Sequence, residues 1–187
     1  MQVLGVDPGE TDGAFVLLSS SSAVVAWWTY VKLKRRKGTA YRLTSSRWEP
    51  STHEAVWAVA AQVRRSMPAH TNRRLIVEGL FVPRPRRGSP VNPQMAIALG
   101  ESAGQIIGGL SQTPDLRPRA NEWRWAQLSL PNRTRAEHAE AQAVRLAPHA
   151  FNWSNADTAR CPSKNERGAL AEAAFIARHG WTELHHP

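Results

Sequence analysis

The chain has 187 residues, 42% of them hydrophobic, which is enough for one globular domain (residues 1–187) with a sizeable core. No apolar run approaches the roughly 20 residues of a membrane-spanning helix, and the single cysteine, Cys161, excludes an internal disulfide. The first residues lack the pattern of a secretory signal, so we expect a cytoplasmic protein without membrane contact.

The charge indicates the class of partner. The formal net charge is +9, and basic residues cluster in four runs, at 32–37, 83–88, 117–119 and 132–135. The planar fork of an arginine side chain holds phosphate at two points, so these runs favour a polyanion such as nucleic acid. They lack the alternating apolar face of a membrane-surface helix, which leaves a merely solvated basic surface as the alternative.

The N-terminal half predicts mainly strands. Three β-rich stretches, at 2–7, 13–19 and 23–33, are separated by Gly and Ser turns, and residues 37–50 are predicted to form a loop. Thr52 is a candidate N-cap for a helix that ends before Pro68. The stretch "RRLIVEGLF" (73–81) is then predicted to form a buried strand. The helix is predicted from apolar residues at helical spacing, namely Val56, Val59, Val63 and Met67.

The segment that follows is a basic loop and then a helix. Residues 82–93 hold four prolines and three arginines, a composition typical of a loop. The helix after it carries Gly100, Gly104 and Gly108 on one stripe, which suggests that another backbone lies very close, either the sheet or a second subunit. Its apolar stripe consists of Met95, Leu99, Ile106 and Leu110.

The C-terminal third predicts a short strand near Leu116 and two more helices. Residues 134–147 are alanine-rich, with Thr134 and Glu137 spaced as a capping box. The last helix is predicted to end at Gly180, followed by a tail at 181–187. The order of elements predicts an α/β domain in which helices flank a mixed five-stranded sheet.

Three acidic residues stand in unexpected places. Asp7 ends the first strand, Glu78 interrupts the apolar run "LIVEGLF", and Glu172 lies among alanine and leucine. Three acids at one place would repel each other unless cations lay between them, and hard oxygen ligands suit Mg²⁺ or Mn²⁺. A pair of such ions about 4 Å apart can activate water against a phosphodiester. The alternative is that Glu172 faces solvent and Glu78 caps a local group.

The order of four short motifs resembles the RuvC-type Holliday junction resolvases of the RNase H-like superfamily, over residues 2–180. The motifs are "VLGVDPG" (3–9), "IVEGLF" (76–81), "ALGESAGQI" (98–106) and "ALAEAAFIA" (169–177). The resemblance implies an RNase H-like fold and a homodimer that cuts four-way DNA junctions symmetrically. It also implies two Mg²⁺ or Mn²⁺ ions in each active site. A phage-encoded member acting in a bacterial cytoplasm is one candidate.

The resemblance also assigns roles to single residues. Asp7, Glu78 and Glu172 match the family's catalytic metal ligands, and Phe81 matches an aromatic residue that inserts at the junction crossover, where a ring can replace base stacking. The family carries an acid or histidine three residues before its last acid, but this chain has Ala169 there. Two nearby residues are candidate replacements, the neutral Asn165 and the acid Glu166.

Five arginines are predicted to contact DNA. The family places a basic residue near the scissile phosphate, and Arg124 and Arg135 are the candidates for it here, with ordinary phosphate contact as the alternative. Arg84, Arg86 and Arg87 lie in the loop beside Phe81, where they would grip the DNA arms. The glycine stripe falls on the helix that resembles the family's dimer helix. The missing acid at position 169 leaves a second hypothesis open, a binding module of the same fold that holds branched DNA without cutting it.

Overall fold

A computed structural model describes residues 1–35, 38–79, 93–131, 136–153 and 164–185. Its strands form one mixed sheet in the order β5-β4-β3-β2-β1-β6, in which β1 and β6 are parallel and the other neighbouring pairs are antiparallel. The strands are β1 (Gln2–Asp7), β2 (Asp12–Leu18), β3 (Val24–Leu33), β4 (Ala40–Ser45), β5 (Ser51–His53) and β6 (Arg73–Val77). The helices are α1 (Val56–Ser66), α2 (Pro93–Leu110), α3 (Ala120–Leu128), α4 (Ala136–Ala150) and α5 (Lys164–His185).

The mixed α/β class and the first three strands are confirmed, but the predicted strand set is not. The predicted loop at 37–50 is wrong, because it contains β4, and β5 follows at once. Leu116, expected in a strand, makes only a single bridge to Ile76. The described sheet therefore has six strands instead of five. Strand β4 was not predicted because it is half-exposed and has too few apolar residues to show an alternating pattern.

Three helix boundaries also differ from the predictions. Thr52 lies in β5, and α1 begins after Ala55, which makes no side-chain cap. Helix α4 runs on to Ala150, past the predicted end at 147. Helix α5 continues through Gly180 to His185, so residues 181–185 are helical and not a tail. Gly180 serves packing here, because a Cβ at that position would lie 2.6 Å from the Cδ1 atom of Ile76.

Helices cover both faces of the sheet. We call the side covered by α3, α4 and α5 the α5 face, and the opposite side the α1–α2 face. Trp27 points to the α5 face and Trp28 to the α1–α2 face, and each is only 1% exposed. Neither tryptophan faces solvent, because helices cover both sides of the sheet. Among the described residues, no helix is both long enough and apolar enough to span a membrane.

Candidate active site

Asp7 and Glu78 lie side by side at the carboxyl ends of two parallel strands. Val6 of β1 pairs with Val77 of β6, and the Glu78 amide donates a 3.1 Å hydrogen bond to the Val6 carbonyl, so the pairing continues to the first residue after β6. Side chains alternate along a strand, and Ile76 belongs to the core of the α5 face, so Glu78 points to the same face. The sheet therefore brings these two acids together on the side of α5.

Helix α5 brings Glu172 to the same place. A Cβ on Gly5 would lie 2.5 Å from the Ala177 amide nitrogen and would also meet the Ala173 carbonyl, so the helix backbone lies directly on β1. Glu172 immediately precedes Ala173, and it shares a cavity with Asp7. A larger residue at position 5 would force the helix away from the strand, so the glycine sets the distance between the two carboxylates.

The three carboxylates affect one another's protonation. Burial raises the pKa of Asp7 well above its ordinary value, and the neighbouring charges of Glu172, Glu78 and Asp12 raise it further. Burial likewise raises the pKa of Glu78. It raises the pKa of Glu172 to about 7, with Glu78 and Glu140 adding to the rise and Arg124 opposing it. A bound cation would stabilise the ionised form of each acid and lower its pKa.

Helix α3 provides the partners of two of these acids. The Trp123 indole donates a 2.8 Å hydrogen bond from Nε1 to Oε1 of Glu78. Arg124 donates from Nη2 to Oε1 of Glu172, also at 2.8 Å. Both side chains of this ion pair are mostly buried, at 18% and 13% exposed. The guanidinium lowers the pKa of all three acids, so Arg124 is the main local counter-charge among the described residues.

An acidic cavity of about 360 Å³ opens where these elements meet. The turn after β1 forms one wall, and it depends on Gly9, because a Cβ there would collide with the Asp12 carbonyl. Hydroxyl groups from β3 and α2 hold this turn: Tyr30 and Ser102 donate to the Gly9 carbonyl at 2.8 and 2.7 Å. The residues that line the cavity are Asp7, Gly9, Asp12, Glu140, Ala169 and Glu172.

A basic cavity of about 620 Å³ adjoins the acidic one. Lys32, Lys34 and Arg35 line it, and Asp12 lines both cavities. One of its cations is partly engaged, because Lys32 lies 3.8 Å from Glu10. Positive charge beside an acidic site is the arrangement needed to hold a phosphate backbone next to carboxylates that would otherwise repel it.

Glu166, the proposed fourth ligand, lies elsewhere. Helix α5 begins at Lys164, so Glu166 lies in its first turn and its side-chain direction is set by the helix. Its carboxylate instead accepts a hydrogen bond from Thr29 at 3.1 Å and pairs with Arg42 at 3.5 Å. It is buried on the sheet and does not line the acidic cavity. The side chain of Asn165 lies outside the described part of the structure.

Arg124 is the one predicted DNA contact that falls inside the described ranges. The segment that carries Phe81, the aromatic residue predicted to insert at the crossover, and the arginine-rich loop is not described, nor is the segment just before α4. The predicted residues that lie outside are Phe81, Arg84, Arg86, Arg87 and Arg135.

Sequence patterns missed two side chains of the site, Trp123 and Glu140. Trp123 is fully buried and holds Glu78, and its position beside Arg124 was the available signal. Glu140 reaches the cavity from α4, 32 residues before Glu172 in the chain. On this alanine-rich helix the sequence singles out Glu137, by its capping-box spacing from Thr134, and no pattern indicates Glu140.

The donor set suits a hard divalent cation, because the converging groups are carboxylates. Burial raises the pKa of all three, and repulsion by neighbouring carboxylates adds to the rise for Asp7 and Glu172. Asp7, Glu78 and Glu172 are the residues that would hold such an ion. Within the described ranges, no three acidic, histidine or cysteine side chains are already arranged to bind one. Glu78 is turned onto Trp123 and Glu172 onto Arg124.

Comparison with known proteins returns structural similarity alone. No protein-family model matches the sequence, and a search of curated proteins gives no match. A Thermus thermophilus RuvC structure is 13% identical, with a TM-score of 0.45, over 97% of this chain and 96% of its own. T. thermophilus RuvC in complex with a Holliday junction substrate is 16% identical, also with a TM-score of 0.45, over 100% and 96%. Both structures carry the name of the family that the sequence motifs resemble.

Proposed function

We propose that this chain is a metal-dependent, structure-specific DNA endonuclease of the RuvC type that hydrolyses phosphodiesters at four-way junctions. The observation that carries the proposal is the convergence of Asp7, Glu78 and Glu172 at one end of the sheet, beside a cavity lined by basic side chains. The order of the four sequence motifs supports the branched-DNA substrate, and the formal charge of +9 supports a polyanionic partner.

In this proposal the three acids hold Mg²⁺ or Mn²⁺, two ions per site. Such ions activate water and stabilise the leaving oxygen of a phosphodiester. Arg124 supplies a further positive group: its Nε is buried and meets no acceptor among the described residues. A phosphate oxygen is a suitable acceptor, and the guanidinium would stabilise charge that develops on the phosphate. Arginine does not act as a general acid here, because it scarcely releases its proton.

The basic cavity gives DNA a path to the acids. Lys32, Lys34 and Arg35 would contact the backbone of one arm, and Asp12 marks where this cavity meets the acidic one. The wedge role of Phe81 remains a prediction. So do the contacts predicted for the arginines outside the described ranges, which are Arg84, Arg86, Arg87 and Arg135.

A homodimer through α2 completes the proposal. Among the described residues, an added Cβ at Gly104 or Gly108 meets no atom within 4 Å, so the alternative of packing against the sheet is wrong for these two glycines. Their surface is open to a partner helix, and Ile97 on α2 is 60% exposed. Two copies related by a two-fold axis would place two acidic sites on the two strands to be cut. A cytoplasmic location and a phage origin belong to the same proposal.

A catalytically silent junction-binding module is the second candidate. Two observations favour it: alanine stands at position 169, and Arg124 already neutralises Glu172. Such a module would keep the basic cavity and bind branched DNA without cutting it.

Cleavage of synthetic DNA separates the two candidates. Four-way, three-way, flap and linear duplexes are incubated with the protein and Mg²⁺, and products are resolved on denaturing gels. We expect symmetric cuts in the four-way junction. Glu78→Gln should abolish cleavage while leaving junction binding in Ca²⁺ intact, since the change keeps the hydrogen bond from Trp123 possible. Binding without cleavage by the unaltered protein, in Mg²⁺ and in Mn²⁺, would favour the silent module. Unchanged turnover by Glu78→Gln would contradict the proposed active site.

A further inference from the structure

A carboxylate from α4 lies over the start of the α5 motif. The two helices pack through small residues: Ala143 and Ala147 of α4 belong to the core of the α5 face, and Ala139 is buried. This close approach lays the Glu140 side chain on Gly168: a Cβ at Gly168 would lie 2.7 Å from Cδ of Glu140 and would meet its Oε1 atom. A residue larger than glycine at position 168 would therefore displace Glu140 from its path toward the cavity.

Glu140 reaches the cavity beside position 169, where the sequence departs from the family it resembles. Ala169 follows Gly168 directly and occupies the position three residues before Glu172, where the family carries an acid or a histidine. Residues three apart share one face of a helix. Ala169 and Glu140 both line the acidic cavity with Asp7 and Glu172. The methyl group of alanine leaves room that a carboxylate from the neighbouring helix can use.

We propose that Glu140 supplies, from α4, the metal-binding carboxylate that α5 lacks at Ala169, and that it binds a divalent cation together with Asp7 and Glu172. The inference rests on the proposed nuclease function and completes its ligand set.

The state of the other side chains in the cavity supports Glu140. Among the described residues, no hydrogen bond reaches the Asp7 carboxyl group, which is largely buried and faces this cavity, so the site contains an acidic group without a partner in those ranges. Within the same ranges, Glu140 also has no hydrogen bond or ion pair, and it is exposed, so an ion can reach it. Its charge is felt at Glu172, whose pKa it helps to raise.

The competing acids are less suited to this role. Glu166 is bound by Thr29 and Arg42, away from the cavity. Asp12 lines the cavity, but its carboxylate accepts a 2.9 Å hydrogen bond from Thr11. Glu137, one turn earlier on α4, does not line the cavity.

Metal binding without DNA tests the inference separately from catalysis. Mn²⁺ is titrated into the metal-free protein, and both calorimetry and the electron paramagnetic resonance of free Mn²⁺ measure stoichiometry and affinity. Glu140→Gln should lose one ion or weaken it by at least about tenfold, because it removes one charged oxygen ligand. Glu183→Gln is the charge-matched control: Glu183 is exposed on α5, about 16 Å along the helix axis from Glu172, and should bind as the unaltered protein does.

A second variant, which places a carboxylate on α5 at position 169, tests whether the lost affinity is due to the missing carboxylate. The double variant Glu140→Gln with Ala169→Asp should regain most of the lost affinity, because Ala169 lines the same cavity. Equal Mn²⁺ binding by Glu140→Gln and the unaltered protein would overturn the inference, and so would failure of Ala169→Asp to restore it in a variant with unchanged circular dichroism.

Glu78→Gln distinguishes failure of this inference from failure of the proposed function. If Glu78→Gln weakens Mn²⁺ binding and Glu140→Gln does not, the nuclease site stands and the role of Glu140 is wrong. If the unaltered protein binds no Mn²⁺, both proposals are wrong. If Glu78→Gln binds Mn²⁺ unchanged, the proposed active site is wrong, and the result for Glu140→Gln alone decides the role of Glu140.

Discussion

The two faces of the sheet are built by different rules. Large side chains are buried on both faces, among them Trp28 and Tyr30 on the α1–α2 face and Trp27 and Phe175 on the α5 face. On the α5 face the helix that crosses the sheet is rich in alanine, and the strand beneath it carries Gly5. Large side chains hold helices at a distance, whereas alanine and glycine let two backbones approach each other.

That difference explains where the titratable groups lie. A carboxylate side chain is short, so acids from a strand and a helix can share one site only where the two backbones are close. Asp7, Glu78 and Glu172 all belong to the α5 face, at the end where α5 lies directly on β1. The α1–α2 face contributes hydroxyl support from Tyr30 and Ser102, which hold the turn after Asp7. The α5 face thus carries the three acids, and the α1–α2 face supplies the hydroxyl groups that bind the turn after Asp7.

The largest expected effect comes from adding a single methyl group between α5 and β1. Gly5→Ala would place Cβ 2.5 Å from the Ala177 amide nitrogen, against backbone that cannot rotate away. We expect a loss of about 3 kcal/mol or more in the free energy of unfolding, measured by chemical denaturation. The same shift separates Asp7 from Glu172, so Mn²⁺ affinity should fall as well.

A matched change on the other face provides the control. Ile106→Ala removes a fully buried side chain from the α1–α2 face and should cost about 2–5 kcal/mol. Mn²⁺ affinity of the folded protein should stay close to that of the unaltered chain. If Ile106→Ala weakens Mn²⁺ binding as much as Gly5→Ala does, the division of roles between the two faces is wrong.

The pH dependence of stability should also come mainly from the α5 face. Burial raises the pKa of Glu172 to about 7 from an ordinary value of 4.5, so the folded protein holds this proton more tightly than the unfolded chain. The resulting stability is fully present below about pH 4.5 and is lost as the pH rises to about 7. For Glu172 the loss is roughly 3 kcal/mol, and the raised pKa of Asp7 acts in the same direction.

Denaturation in EDTA at pH 4.5 and pH 7.5 measures this loss. Glu172→Gln should reduce the difference between the two pH values by roughly 3 kcal/mol. Saturating Mn²⁺ should also reduce it in the unaltered protein, since a bound cation stabilises the ionised acids. An identical pH difference with and without the Glu172 carboxyl would show that the decline originates elsewhere.

Features with a local cause could be predicted from the sequence, whereas features that depend on long-range packing could not. Strands β1 to β3 were predictable from their apolar, β-rich composition. The acids Asp7, Glu78 and Glu172 could be singled out because a charged residue among apolar neighbours is a local anomaly. Strand β4 was missed, since its stability comes from pairing with β3 rather than from its own composition.

The contacts of Trp123 and Glu140 could not be predicted for a related reason. Trp123 meets Glu78 and Glu140 reaches the acidic cavity only through the packing of α3 and α4 on the fold. Glu137 and Glu140 are the same residue type one turn apart on one helix, and only the approach of α4 to Gly168 separates their roles.

A smaller effect is expected from the indole that holds Glu78. Trp123→Phe keeps an aromatic ring in the core and removes the Nε1 donor, so the pKa of Glu78 should rise further. Leaving a buried carboxyl without this bond should cost about 1–2 kcal/mol at pH 7.5, measured by denaturation. Trp125→Phe is the control, because that side chain is 66% exposed, and it should change stability by less than about 0.5 kcal/mol. Equal costs for the two changes would mean that the hydrogen bond to Glu78 contributes nothing.

The smallest effect, and the only gain, is expected on the open stripe of α2. Gly104→Ala adds a methyl group that meets no atom of the described residues within 4 Å, so it should stabilise the helix by about 0.5–1 kcal/mol through the higher helix propensity of alanine. Whether Gly104→Ala stabilises or destabilises the protein depends on whether a partner helix covers the stripe. If a second copy packs there, the methyl group clashes with the partner helix, and the gain at low protein concentration becomes a weaker dimer at high concentration. Denaturation at two protein concentrations, together with sedimentation velocity, separates these outcomes. A gain that does not change with concentration, and no dimer in sedimentation, would leave α2 without the proposed partner.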